Sequence, residues 1–164
     1  MNSGNSKFDR FVRHETMLSP EETEGFSIFF TEKGDCFHCQ SMSLTTDGDI
    51  HNIGLDSVFN GVNAGYYNVS HSAADYGKFR TPTLRNIGLK NTFMHDSRFQ
   101  SLEEVIEHYN SGVKHSPSLD PIMTKPSKQF GLNLTQQDKQ NLKAFLLTLT
   151  DSTFLNNSNL SDPN

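Results

Sequence analysis

Cys36 and Cys39 stand three apart in Cys36-Phe37-His38-Cys39, and they are the only cysteines of a 164-residue chain. A thiol pair at this spacing is open to four chemistries. A thioredoxin-like dithiol needs strand–helix–strand surroundings, and the flanks here read as helix and loop. A zinc site needs four ligands, and with no second CxxC or H-x-x-x-H nearby, distant histidines would have to complete it. A local disulfide or two idle thiols is the third reading, since so short a loop cannot staple a fold of this length. The fourth is attachment of a c-type haem, whose signature is C-x-x-C-H. There the thiols add to two vinyl groups and the following histidine ligates iron. Here that following residue is Gln40, so spacing alone leaves the signature incomplete.

Three helices have to position this turn. The first opens at Ser19-Pro20-Glu21-Glu22, a capping box with Pro at the first helical position, and runs through Phe26, Phe29 and Phe30 to Gly34. The second opens at Ser101 with Glu104 three residues on, and Gly112 stops it. It carries Leu102, Val105, Ile106 and Tyr109 at helical spacing, which makes Tyr109 an inward-facing aromatic. The third opens at Thr135 with Asp138 three residues on and places Leu142, Phe145, Leu146 and Leu149 on one face. Between Ser41 and Asn91 lie about fifty residues rich in Gly, Asn and Ser with little period of either kind. A loop this long inside a compact domain is usually functional, and a bound cofactor would give it a surface to wrap. Residues 151–164 are polar and read as a frayed tail.

The composition points the same way. Hydrophobic residues make up 34% of the chain, with 13 Phe and no Trp, so a few large rings carry a core that is thin for its length. The net charge of −5, without a basic run, argues against a nucleic-acid partner. No apolar run is long enough to insert into a membrane, and Met1 to Met17 lacks the apolar stretch of an export signal.

Longer blocks carry more information than the CxxC. The run Gly77-Lys78-Phe79-Arg80-Thr81-Pro82-Thr83-Leu84-Arg85-Asn86-Ile87 precedes Phe93-Met94-His95-Asp96-Ser97-Arg98-Phe99 and Ser101-Leu102-Glu103-Glu104. In this order they resemble the second domain of the bacterial dihaem cytochrome c peroxidase family, which includes the tyrosine-ligated enzymes that mature methylamine dehydrogenase. Phe8-Asp9-Arg10-Phe11, His51-Asn52-Ile53-Gly54-Leu55 and the stretch from Gly131-Leu132-Asn133-Leu134-Thr135 through Phe145-Leu146 extend the resemblance over about residues 7–154.

The resemblance implies an all-α, cytochrome c-like haem domain with a long irregular loop region. Residues 1–18 would be an interdomain connection, 19–150 the domain and 151–164 the tail. It implies haem c on Cys36 and Cys39, with Gln40 at the family's proximal-histidine position and Tyr109 at that of the opposite axial ligand. His95 falls near the haem edge and the interdomain surface, with a plain surface or hydrogen-bonded histidine as its alternative. Arg80 and Arg85 are candidates for the haem propionates, with ordinary ion pairing as their alternative. His38 would point away from the iron, and His14, His71, His108 and His115 would be surface residues. The family's calcium position matches Lys90 to Thr92, where Lys90 adds a cation. The implied function is electron transfer within a periplasmic, peroxidase-like oxidoreductase. Full turnover would require the first haem domain, or another redox protein, as partner. The alternative is a haem-free helical module on the same scaffold, with Cys36 and Cys39 as disulfide or thiols, and a zinc module ranks third.

Overall fold

The computed structural model describes residues 3–41, 45–126, 128 and 131–156. Its frame is made of α1 (Lys7–Val12), α2 (Pro20–Phe29), α4 (Leu102–Glu107) and α5 (Gln136–Leu147). The single turns α3 (Tyr67–Ser70) and α6 (Ser152–Leu155) are added to it. The fold is mainly helical, and the all-α expectation needs one amendment. β1 (Ile50–His51) and β2 (Phe79–Arg80) pair antiparallel, Ile50 opposite Arg80 and His51 opposite Phe79. This ladder lies inside the long irregular stretch and ties its two halves together. Among the described residues no helix is long and apolar enough to cross a membrane.

The helix starts follow from their caps. Ser19 Oγ accepts from the Glu22 N–H while the Glu22 carboxylate accepts from the Ser19 N–H at 2.7 Å, and Thr135 and Asp138 repeat this exchange. Ser6 and Asp9 form a third box, at the head of α1. Each such cap is worth about 1 kcal/mol. At α4 only half the box forms, because the Glu104 carboxylate turns to the Gln100 N–H at 2.6 Å. The first long helix stops at Phe29 rather than continuing to Gly34. There the Gly34 N–H folds back onto the Ile28 and Thr31 carbonyls at 3.0 and 3.2 Å.

The core is a stack of phenylalanines where α1, α2 and α5 meet. Phe145 meets Phe8 edge-on at 5.3 Å between ring centres and Phe29 at 5.2 Å, and both Phe29 and Phe145 are buried. Close approach of α2 to α5 depends on Gly25, where a Cβ would stand 2.0 Å from the Asn141 carbonyl oxygen. Phe8 is part of this core, so residues 7–12 pack as an integral helix, whatever they connect to. The segment expected to fray opens on a short helix, α6. Asp151 is 2% exposed, and its carboxylate accepts from the Gly4 and Asn5 N–H groups as well as from Thr153 and Phe154 at the head of α6. Residues 157–164 of that tail lie outside the described residues.

Candidate functional site

The loop after α2 turns through Asp35, a non-glycine residue at φ 59°, into a single 3-10 turn, Cys36–His38. Aspartate tolerates this left-handed conformation better than most residues, and such backbone strain tends to cluster at functional sites. Cys36 and Cys39 are both half-buried and unbridged. Burial first, then the negative charge of Asp35, pushes the Cys36 thiol up to about 12. Burial, then Asp47, Asp120 and Asp35, pushes Cys39 up to about 11. Both sulfurs therefore stay protonated at neutral pH. A redox-active dithiol needs the opposite shift, so this environment speaks against thioredoxin-like chemistry.

Gln40 closes the turn, its N–H donating to the Cys36 carbonyl at 3.0 Å. Its side-chain Oε1 is buried and finds no hydrogen-bond partner among the described residues. A buried acceptor in that state costs about 1–3 kcal/mol, which makes it an atom in want of a partner.

Tyr109 lies across from this turn on an unusual element. α4 does not continue as an α-helix to Gly112 but widens into a π-helical turn over His108–Gly112. Segment 131–134 grips that turn. The Leu134 N–H donates to Asn110 Oδ1 at 2.7 Å and the Leu132 N–H to the Tyr109 carbonyl at 3.3 Å. Single π turns inside helices often mark functional positions. Burial, reinforced by the charges that Cys36 and Cys39 carry when ionised, raises the Tyr109 hydroxyl well above its ordinary range. The phenol and the two thiols are thus half-buried neighbours, close enough for the thiol charges to raise the phenol's pKa.

The remaining expected residues are held as follows. His95 is exposed, stacked on Phe79 at 3.7 Å between ring centres with Nε2 3.0 Å from Asn63 Oδ1, and burial against that ring lowers its pKa. Arg80 is exposed at the ladder. Arg85 donates from one nitrogen to the Asp9 carboxylate at 3.0 Å and to the Ser3 carbonyl at 2.9 Å, which is the ion-pairing alternative. His38 is exposed, and its Nε2 faces Asp35 at 3.1 Å and Lys125 at 3.0 Å. Lys90 to Thr92 is an exposed segment.

One histidine expected at the surface is not there. His108 is 5% exposed, and its Nε2–H donates to the Ile53 carbonyl at 3.0 Å; burial lowers its pKa so that the ring is neutral. His108 opens the π turn, a widening that helical spacing does not foresee.

Several polar residues stood out only in three dimensions. Asn52, 1% exposed, joins three loops: Nδ2 donates to the Ser118 and Ser116 hydroxyls at 3.0 and 3.1 Å and to the Tyr76 carbonyl at 3.2 Å, and Oδ1 accepts from the Gly54 N–H at 2.9 Å. Arg98 pairs with Asp56 at 2.7 Å and with Asp96 at 2.6 Å. His51 sits between two carboxylates, Nδ1 2.5 Å from Asp120 and Nε2 2.8 Å from Asp47. The signals available in the sequence were the blocks His51-Asn52-Ile53-Gly54-Leu55 and Phe93-Met94-His95-Asp96-Ser97-Arg98-Phe99, which give the positions of these residues without their partners.

No family model matches the chain. Individual proteins do. MauG, a methylamine utilization protein of Methylorubrum extorquens, is 34% identical over 148 residues, covering 90% of this chain and 40% of that protein. The cytochrome c peroxidase IdrP2 of Denitromonas iodatirespirans is 29% identical and covers 90% and 45% respectively. A crystal structure of a MauG-like protein associated with microbial copper homeostasis superposes with a TM-score of 0.86 at 31% identity, covering 98% of this chain and 52% of that one. The dihaem peroxidase BthA of Burkholderia thailandensis shares the fold, with a TM-score of 0.73 at 23% identity. The chain thus spans less than half the length of these curated relatives. Its homologues are thus MauG and the dihaem cytochrome c peroxidases, and it matches them over the extent expected of a single C-terminal-like domain of that family.

Proposed function

We propose that the chain is a haem c-binding electron-transfer domain of a cytochrome c peroxidase-like oxidoreductase, with Cys36 and Cys39 as the thioether attachment points. The observation that carries this reading is the buried Gln40 Oε1, unpartnered among the described residues, beside a turn that presents both thiols. Tyr109 supplies a second oxygen donor, half-buried beside the thiols. The residues present therefore fit a haem c. Two thiols would hold it, and Gln40 and Tyr109 are the oxygen atoms available to its iron. When bound, such a haem supplies a one-electron iron couple. The chain itself offers oxygen donors, which would favour the ferric state and hence a low potential. Arg80, being exposed, is available to a propionate, and His95 stacked on Phe79 forms part of the surface facing a partner. Electrons would come from or pass to another haem domain or redox protein in the periplasm, and peroxidase turnover would belong to that larger assembly.

The second reading, a haem-free module on the same scaffold, is favoured by the amide at position 40 and by thiols held firmly protonated. One measurement separates the two. The chain is produced in a host with haem-attachment machinery, then denatured and separated from loose haem. A retained Soret band and a mass increased by one haem are expected, both lost in the Cys36→Ser/Cys39→Ser double variant. The bare polypeptide mass would overturn the proposal in favour of the haem-free module.

A further inference from the structure

Cys39, Asp47 and His51 bring a thiol sulfur, a carboxylate oxygen and a ring nitrogen within 4.8 Å of one another. The arrangement is fixed by the backbone. The Asp47 N–H donates to the Cys39 carbonyl at 2.9 Å, which folds the loop back on the CxxC turn. The Ile50–His51 ladder then points the imidazole at the same spot. His51 Nε2 faces the Asp47 carboxylate at 2.8 Å, while Nδ1 faces Asp120 at 2.5 Å. Asp120 is held in turn, its N–H donating to the Asn52 carbonyl at 3.0 Å and its carboxylate accepting from the Ile122 N–H at 3.0 Å.

We infer that the haem-free chain holds a divalent transition ion of the zinc type on Cys39 Sγ, His51 Nε2 and one oxygen of Asp47, with Asp120 orienting His51 through Nδ1. The donor set is mixed sulfur, nitrogen and oxygen, as zinc and cobalt(II) accept. Tetrahedral ligand atoms on zinc stand roughly 3.3–3.6 Å apart, so the trio need move by only about an ångström, leaving a fourth position for water. A carboxylate on the far nitrogen of a ligating histidine is the usual second support of such centres. The ion takes the place of two protons, one from the Cys39 thiol and one from His51 Nε2, so its two charges leave the net charge of the pocket unchanged. The nearby trio Glu32, Asp35 and His38 offers no equal site, since the ammonium groups of Lys125 and Lys128 already occupy Asp35 at 3.0 and 2.8 Å. The inference goes beyond the haem reading, because it concerns the chain before Cys39 becomes a thioether, and metal and haem would compete for that sulfur.

The test is titration of the full-length, haem-free chain with cobalt(II), followed by displacement with zinc. One equivalent bound, with a thiolate-to-cobalt charge-transfer band, is expected. The band should survive in Cys36→Ser and disappear in Cys39→Ser. Affinity should fall roughly a hundredfold or more in His51→Gln and Asp47→Asn, and about 10–100-fold in Asp120→Asn. Circular dichroism checks that each variant folds, and Cys39→Ser, the least disruptive change, decides if His51→Gln does not. No band, a band lost equally in Cys36→Ser, or a band indifferent to both Asp47 and His51 would overturn the site, as would a haem-free chain that stays unfolded in zinc. Failure of covalent haem attachment is read separately, by mass, in the haem-loading host.

Discussion

At the scale of single residues, the chemistry turns on position 40. An imidazole at that position is a strong nitrogen donor; a carboxamide oxygen is weak and neutral, and here it is buried without a partner among the described residues. Two substitutions read its role. Gln40→His in haem-loaded protein is expected to shift the Soret maximum and raise the midpoint potential, and an unchanged spectrum would show that residue 40 never meets the iron. Gln40→Leu tests the same atom by stability. In the haem-free chain it removes an orphaned acceptor and should raise stability by roughly 1 kcal/mol, whereas in haem-loaded protein it should lower it. Thermal melts of both forms measure the two signs, and equal effects would reduce Gln40 to a packing residue. Tyr109→Phe in turn should abolish any phenolate-to-iron band of the ferric form while leaving the fold intact.

At the scale of elements, the clearest constraint is the crossing of α2 and α5. Gly25 has no room for a side chain, because a Cβ would fall 2.0 Å from the Asn141 carbonyl oxygen and 2.7 Å from Phe145 Cβ. In an exposed helix, alanine would raise helical propensity. Here overpacking wins, and Gly25→Ala is expected to cost roughly 1–3 kcal/mol by chemical denaturation; a stabilised variant would mean the helices part without strain. The long helices were legible because their signals are local. A serine or threonine with an acidic residue three positions on, then apolar spacing, needs no knowledge of the rest of the chain. α1 carries the same signal in Ser6 and Asp9, but six residues hold too little apolar spacing to tell a helix from a connection. The π turn was illegible for a different reason. Spacing alone places Tyr109 and His108 on an ideal α-helix, whereas the widened turn is held by residues 131–134, some twenty positions away. The union of His51 with Asp120 is of that kind too, spanning 69 positions.

At the scale of the whole molecule, the two ends of the described chain are stitched by one carboxylate. Asp151 accepts from the Gly4 and Asn5 N–H groups at 3.0 and 2.9 Å while heading α6, and its own N–H donates to Asn86 Oδ1 at 2.8 Å. Arg85, beside Asn86, binds Asp9 and Ser3 on the same N-terminal segment, so the Arg-Asn pair and Asp151 act as one clasp. Burial alone would raise the Asp151 carboxyl. The Thr153 hydroxyl and the N–H groups of Phe154, Asn5 and Gly4 outweigh it and hold the group at about 2. A folded value below the ordinary 3.8 means that the unfolded chain binds the proton first. The clasp thus contributes its full share above about pH 4, and that share is lost as pH falls towards 2. The shift corresponds to roughly 2 kcal/mol. Asp151→Asn keeps the shape, removes the charge and leaves fewer acceptors for the same five donors. The variant should therefore be less stable than the parent by about that amount at pH 7, and the difference should shrink below pH 4. Denaturant melts at pH 7, 5 and 3 measure it, and a stability gap that stays constant over that range would show that the ends are held by packing around Phe8 instead of by this carboxylate.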